Sequence, residues 1–282
     1  MISVDGRNID FQDSDPGGPG DDTDNDRDNA GPVILFVPGS FSTPAAWRPI
    51  MKLLPGHRFV ATSLCGYGAT DETRSSGDHD MAHEVRVIGA VAAQIGRPVH
   101  LVGHSFGGSV AFAAALAGAV DVLSITTFEA NPLDLMRVAG RDDQSIETRR
   151  MSDTYEAALA AGEVNAPRRI IDFWGGDGAY DSFPDAVQDY CRQTAYANVL
   201  DWHTCFGFDA PPQDYAGLDV PALLVRGGLC NPVIVTITDM LAASIPGART
   251  EVVDGAGHFL ISSHPQDCAA LLTEFLDQKP RQ

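Results

Sequence analysis

The chain has 282 residues, enough for one large domain or a domain carrying an insertion, and it can bury well over half of its unfolded surface without disulfide or metal staples. A formal net charge of −19 weighs against nucleic acid and anionic membrane as partners, because both would be repelled. Five scattered cysteines (Cys65, Cys191, Cys205, Cys230 and Cys268), with no C-x-x-C pair among them, read as reduced, buried thiols and argue against a disulfide frame or zinc site.

Met1 to Arg7 lacks a basic start followed by an apolar core, and the longest small-apolar run, Val110 to Val120, is too short and alanine-rich to span a bilayer, so a cytoplasmic protein is expected. Ile2 to Phe11 reads as a short strand or hairpin interrupted by Gly6. Residues 13–29, "DSDPGGPGDDTDNDRDN", hold nothing that could anchor them in a core and read as a flexible acidic loop. Its alternating aspartates (Asp22, Asp24, Asp26, Asp28) have the spacing of calcium ligands, yet the turn glycine and distal glutamate of an EF-hand are missing.

"PVILFVPG" (residues 32–39) is a continuous apolar run of the kind buried on both faces of a parallel sheet. A helix is expected over residues 44–54, where Trp47, Ile50, Met51 and Leu54 recur at helical spacing, and a strand over 57–64. The alternation continues with a helix over 81–95, strand "PVHLVG", a helix over 106–117 and a strand over 120–129. Late in the chain come strands over 221–227 and 248–255 and helices over 236–244 and 265–277. This pattern predicts a doubly wound, mostly parallel α/β sheet. Between Asn131 and Leu218 only helical segments occur, as if a cap were laid over the sheet edge where open α/β sheets bind ligands. The cap is rich in aromatics (Phe173, Trp174, Tyr180, Tyr190, Tyr196, Trp202, Phe206, Phe208); most serve helix packing and some are expected to line a pocket.

Gly103-His104-Ser105-Phe106-Gly107 fits G-x-S-x-G, directly after a buried-type strand and directly before a helix of small residues, the context of a nucleophile elbow. There the serine adopts a strained backbone conformation, and Gly103, Gly107 and Gly108 give room where strand and helix cross. A serine hydroxyl needs a base, and His258 in "VVDGAGHFLISSHP" follows a strand and a glycine-rich loop. Other histidines serve less well: His104 packs beside the elbow, His264 starts a helix, and His79 and His83, four apart, lack a third metal ligand and are expected at a helix N-terminus facing water.

With "LFVPGS", "GYGATDETR", "GHSFGG" and "GAGHF" in this order over nearly the whole chain, the sequence resembles the α/β-hydrolase superfamily. The resemblance implies an oxyanion hole from the backbone amides of Ser40 and Phe106, with Pro38 standing where the family commonly has histidine. It implies an acid after the penultimate strand, where "RGGLCNPV" instead has Asn231, an uncharged residue that could orient an imidazole without stabilising its cation. Some members, haloalkane dehalogenases included, place the acid after the strand following the elbow, which here gives Glu129; Asp254 and Asp239 lie less well. Members acting on haloalkanes and epoxides use an aspartate nucleophile, whereas serine forms an acyl-enzyme. The expected activity is therefore hydrolysis of a small to medium apolar carboxylic ester by Ser105, His258 and Glu129, without cofactor or metal. Alternatives are carbon–carbon bond or lactone hydrolysis, or a non-catalytic ligand-binding protein. The expected domains are a core of residues 1–130 and 218–282 and a cap of 131–217.

Overall fold

The computed structural model describes residues 1–14, 32–54 and 56–277. A two-stranded hairpin opens the chain, β1 (Ile2–Val4) against β2 (Arg7–Ile9). Asp5 and Gly6 between them both have positive φ, 51° and 77°, as the tight two-residue turn that matches strand twist requires, so Gly6 makes the hairpin instead of breaking it. Next, β3 (Phe11–Asp13) leaves the hairpin and becomes the antiparallel edge of the main sheet, a strand too short to show in the sequence pattern. Asp13, expected in the acidic loop, ends this strand and pairs with Arg58 at 2.6 Å. Asp22, Asp24, Asp26 and Asp28, with residues 15–29 of that loop, lie outside the described residues.

The main sheet continues with β4 (Val33–Val37), β5 (Arg58–Thr62), β6 (Val99–His104), β7 (Val122–Phe128), β8 (Ala222–Gly227) and β9 (Arg249–Val253). Its order is β3-β5-β4-β6-β7-β8-β9, and every pair after the first is parallel. This is the expected doubly wound architecture. β4 shows why its sequence is an unbroken apolar run: Val33, Leu35 and Val37 join the core on one face, and Ile34 and Phe36 the core on the other.

The stretch expected as one helix over 44–54 divides into a 3₁₀ turn, Pro44–Trp47, capped by the Thr43 side chain, and the short α1 (Arg48–Met51), leaving Leu54 outside. Two long helices follow. α2 (Ala82–Ile95) buries Glu84, Val87, Ile88, Val91 and Ile95 along one stripe and stops at Gly96, whose φ of 70° suits a C-cap. α3 (Phe106–Leu116) is buried from Phe106 through Ala114, as its small side chains allow.

Between β7 and β8 the chain is helical: α4 (Asp134–Val138), α5 (Asp142–Ala160), α6 (Arg168–Gly175), α7 (Asp185–Gln193), α8 (Ala195–Gly207) and α9 (Pro212–Ala216). The single helical stretch read over "FPDAVQDYCRQTAYANVL" breaks at Thr194, and the short α4 and α9 carry too few apolar repeats to be seen in sequence. The helix expected over 236–244 starts earlier: α10 (Pro232–Ser244) has Asn231 as N-cap and proline at N1. The fold closes with α11 (Leu260–Ser263) and α12 (Pro265–Leu276). No described helix is long and apolar enough to cross a membrane.

Candidate active site

Ser105, Glu129 and His258 follow the C-terminal ends of β6, β7 and β9, the edge at which parallel sheets present functional groups. Ser105 sits at φ 53°, ψ −126°, a conformation that side chains rarely adopt. Crossing elements hold it there. A Cβ added to Gly103 would stand 2.5 Å from the Gly107 carbonyl oxygen, one on Gly107 only 2.2 Å from the Pro38 oxygen, and one on Gly108 2.6 Å from the Ala130 Cβ. The three glycines are therefore the condition for strand, turn and helix to meet at this angle.

The three side chains form a continuous hydrogen-bonded line. Ser105 Oγ lies 2.9 Å from His258 Nε2, and His258 Nδ1 lies 2.6 Å from Glu129 Oε2. All three are buried. The other carboxylate oxygen, Oε1, accepts the Gly227 amide at 2.7 Å, so both Glu129 oxygens are engaged and its orientation is fixed. With Nδ1–H directed at the carboxylate, Nε2 is left to accept the serine proton. Glu129 also has a positive φ, 53°.

His104 packs beside the elbow, as expected, and does more than fill space. Burial lowers its pKa to about 3, so it is neutral, and its Nε2 donates to the His258 carbonyl at 2.9 Å, tying down the histidine loop. Asn231 is occupied elsewhere: its Oδ1 caps α10 through the Val233 amide at 2.9 Å, and its Nδ2 donates to the Phe173 carbonyl at 2.8 Å. Asp239 and Asp254 are exposed. His83, expected to face water, is buried, with Nδ1 2.8 Å from the Thr73 hydroxyl and Nε2 3.1 Å from Asp78. Among the described residues no group of three or more histidine, cysteine or acidic side chains could hold a metal ion.

The Phe106 amide is the first of α3 and has no intrahelical acceptor, and the Ser40 amide likewise finds no acceptor among the described residues. Gly39, preceding Ser40, lies against the elbow, since a Cβ there would come within 3.1 Å of the Ser105 Cβ. Ser40 itself is held from the helical insertion: its Oγ donates to Asp201 Oδ2 at 2.5 Å, and Tyr67 donates to the same oxygen at 2.6 Å. Asp201 Oδ1 accepts from Arg74, whose buried guanidinium also meets Glu72 at 2.8 Å and Glu84 at 3.0 Å. One cation among three carboxylates is too little charge, and burial pushes the Glu84 pKa up to about 7. Sequence reasoning missed this cluster, because its members lie up to 161 positions apart and carry no motif.

Above the elbow lies a cavity of about 660 Å³. Trp174, Tyr190 and Trp202, three of the eight aromatics singled out in the sequence, line it together with Phe41, Phe183 and Phe259, which were not. The Trp174 ring stacks on His258 with centroids 5.3 Å apart, and Trp202 stacks on Trp174 at 6.0 Å, so the insertion roofs the histidine. The arrangement can withdraw a proton from a serine hydroxyl and has two amide donors free beside it.

Comparison with known proteins identifies the family. Residues 34–271 match the Alpha/beta hydrolase family. A fluoroacetate dehalogenase of Burkholderia sp is 24% identical, covering 88% of this chain and 88% of its own length. Epoxide hydrolase A of Mycobacterium tuberculosis is 26% identical, covering 87% and 90%. Among solved structures, an esterase from Exiguobacterium antarcticum superposes with a TM-score of 0.73 at 17% identity over 98% of each chain, a likeness of fold. The chain belongs to the alpha/beta hydrolase family.

Proposed function

We propose that the protein is a serine hydrolase that cleaves a carboxylic ester of a small to medium, largely apolar substrate through an acyl-enzyme. The observation that carries this reading is the unbroken line Ser105–His258–Glu129, with spacings of 2.9 and 2.6 Å, opening into an apolar cavity. Ser105 Oγ attacks the ester carbonyl while His258 Nε2 takes its proton, and the cation formed on the imidazole is stabilised by Glu129. The carbonyl oxygen, now negative, is received by the amides of Ser40 and Phe106 and by the N-terminal end of α3. Collapse of the tetrahedral adduct expels the alcohol, which receives the proton from His258. Water then enters by the same steps in reverse roles and frees the acid.

Serine at residue 105 sets this reading apart from hydrolysis through an alkyl-enzyme ester, which needs a carboxylate nucleophile there. The test is release of p-nitrophenol from acetate, butyrate and octanoate esters by the wild type and by Ser105→Ala, both verified as folded. Turnover in the wild type that disappears in the alanine variant supports the proposal. Turnover that survives the substitution refutes it, and no turnover of any ester moves the bond cleaved to a carbon–carbon or lactone linkage.

A further inference from the structure

A buried polar side chain in the cavity wall has its hydrogen-bonding capacity unused. Asn198 is 1% exposed and lines the cavity from α8, on the same helical face as Asp201, Trp202 and Cys205. Its Oδ1 is buried without a partner, and among the described residues neither end of its carboxamide makes a hydrogen bond. Several other polar side chains of the wall are engaged: Ser40 with Asp201, His104 with the His258 carbonyl, Asn131 Oδ1 with Ser109, and the Tyr190 hydroxyl with the Gly68 amide. A buried amide left unmet is costly, so its retention beside a proposed substrate cavity calls for a ligand group.

Charge narrows what that group can be. No lysine or arginine lines the cavity, while Asp201 does. The nearest cation, Arg74, is buried and already faces three carboxylates. An anionic group placed at Asn198 would face the Asp201 carboxylate with no lysine or arginine in the wall to offset it, the free amide donors of Ser40 and Phe106 lying at the elbow.

We propose that Asn198 recognises a neutral group able both to donate and to accept hydrogen bonds, a carboxamide or hydroxyl borne by the substrate away from the scissile carbonyl, and that the site discriminates against anionic chains. This rests on the cavity being the acyl site proposed above, and it names the substrate class that site prefers: neutral acyl compounds with one polar substituent.

Three probes of nearly one shape test it: hexanamide, which donates and accepts; heptan-2-one, which only accepts; and hexanoate, which is charged. Their dissociation constants are measured at pH 7.5 by quenching of tryptophan fluorescence, which Trp174 and Trp202 in the wall should report, in a Ser105→Ala background. No acyl chemistry takes place there, so failure of the acyl-enzyme reading and failure of this one are told apart. Introducing Asn198→Leu should shift the hexanamide to heptan-2-one affinity ratio against the amide by about tenfold, the worth of one buried hydrogen bond at about 1.4 kcal/mol. Hexanoate should bind more weakly than hexanamide before and after the change. The ligand-free Asn198→Leu protein should melt at the same temperature or higher, because an unmet amide has been removed; Asn198→Ala repeats the ratio measurement if the leucine is not accommodated. A ratio that does not move, absence of saturable hexanamide binding, or hexanoate binding as tight as hexanamide overturns the proposal.

Discussion

Glu129→Gln is the substitution that asks most of the site. Both carboxylate oxygens serve donors, Oε1 the Gly227 amide at 2.7 Å and Oε2 His258 Nδ1 at 2.6 Å, whereas glutamine offers one acceptor only. If its oxygen stays on Gly227, its amino group faces Nδ1, which must then give up its proton; the proton moves to Nε2, and the ring can no longer accept from Ser105. If the side chain turns over, two N–H groups collide at Gly227. The charge is lost in either case. With heavy atoms 2.6 Å apart the charge centres lie roughly 4 Å apart, worth about 4 kcal/mol at an effective dielectric of 20. At 1.36 kcal/mol per factor of ten, this corresponds to a loss of about a thousandfold, and the wrong tautomer extends it toward the ten-thousandfold known for acid-to-amide changes in such triads. The assay is kcat/KM on p-nitrophenyl butyrate, with circular dichroism and Tm verifying the fold. A variant within tenfold of wild type would show that Glu129 does not carry the histidine's charge and would refute the reasoning.

Gly107→Ala places a Cβ 2.2 Å from the Pro38 carbonyl oxygen and should abolish soluble expression, whereas Gly89→Ala, whose Cβ would meet nothing closer than 3.5 Å within α2, should raise stability by up to about 1 kcal/mol; equal Tm values for the two would contradict the packing argument. Arg74→Met leaves Asp201, Glu72 and Glu84 facing one another and should cost about 3–5 kcal/mol, seen as a Tm lower by roughly 10 °C in thermal melts. Burial raises the pKa of Glu84 to about 7 from 4.5 and of Asp134 to about 6 from 3.8, so between these values the folded chain holds more protons than the unfolded one. The stability these groups contribute is present below about pH 4 and lost as the pH rises through 6 and 7. Melts between pH 5 and pH 8 should show Tm falling, and Glu84→Gln should flatten the upper half of that profile; an unchanged slope in the variant would remove Glu84 from the account.

The sheet was legible because β4 is buried on both faces and leaves no polar alternation to confuse with a helix, and the elbow because glycine is demanded where an added Cβ would come within 2.5 Å of the crossing backbone. The place of Glu129 beside His258 was expected from the resemblance to members that carry an acid after the strand following the elbow, together with its order in the chain. The three-residue β3 was hidden because Phe11-Gln12-Asp13 carries one apolar side chain, and α4 and α9 because five residues cannot complete an amphipathic repeat. Asn198 and Asp201 were hidden for a different reason. On a helix, a polar residue facing a cavity occupies the same stripe as the core, and only three-dimensional placement shows that Arg74, 127 residues before Asp201, is its partner.

Backbone strain supplies an argument about this site that side-chain geometry does not. Among the described residues four that are not glycine have positive φ: Asp5, Phe41, Ser105 and Glu129. Asp5 is accounted for by its hairpin turn. Of the others, Ser105 and Glu129 belong to the hydrogen-bonded line, and Phe41 follows Ser40 in the cavity wall. Such conformations cost on the order of 1–3 kcal/mol each and persist only where the surroundings impose them. For Ser105 the crossing of β6 and α3 does so; for Glu129, the Val225 carbonyl that accepts its amide at 2.8 Å and the Gly227 amide that grips its carboxylate; for Phe41, the Ser40–Asp201 bond next to it. A chain seeking stability alone would relax all three with glycine. Keeping side chains there is intelligible if their positions matter more than their strain, and the positions concerned are those of the proposed nucleophile, the proposed acid, and the loop presenting the Ser40 amide.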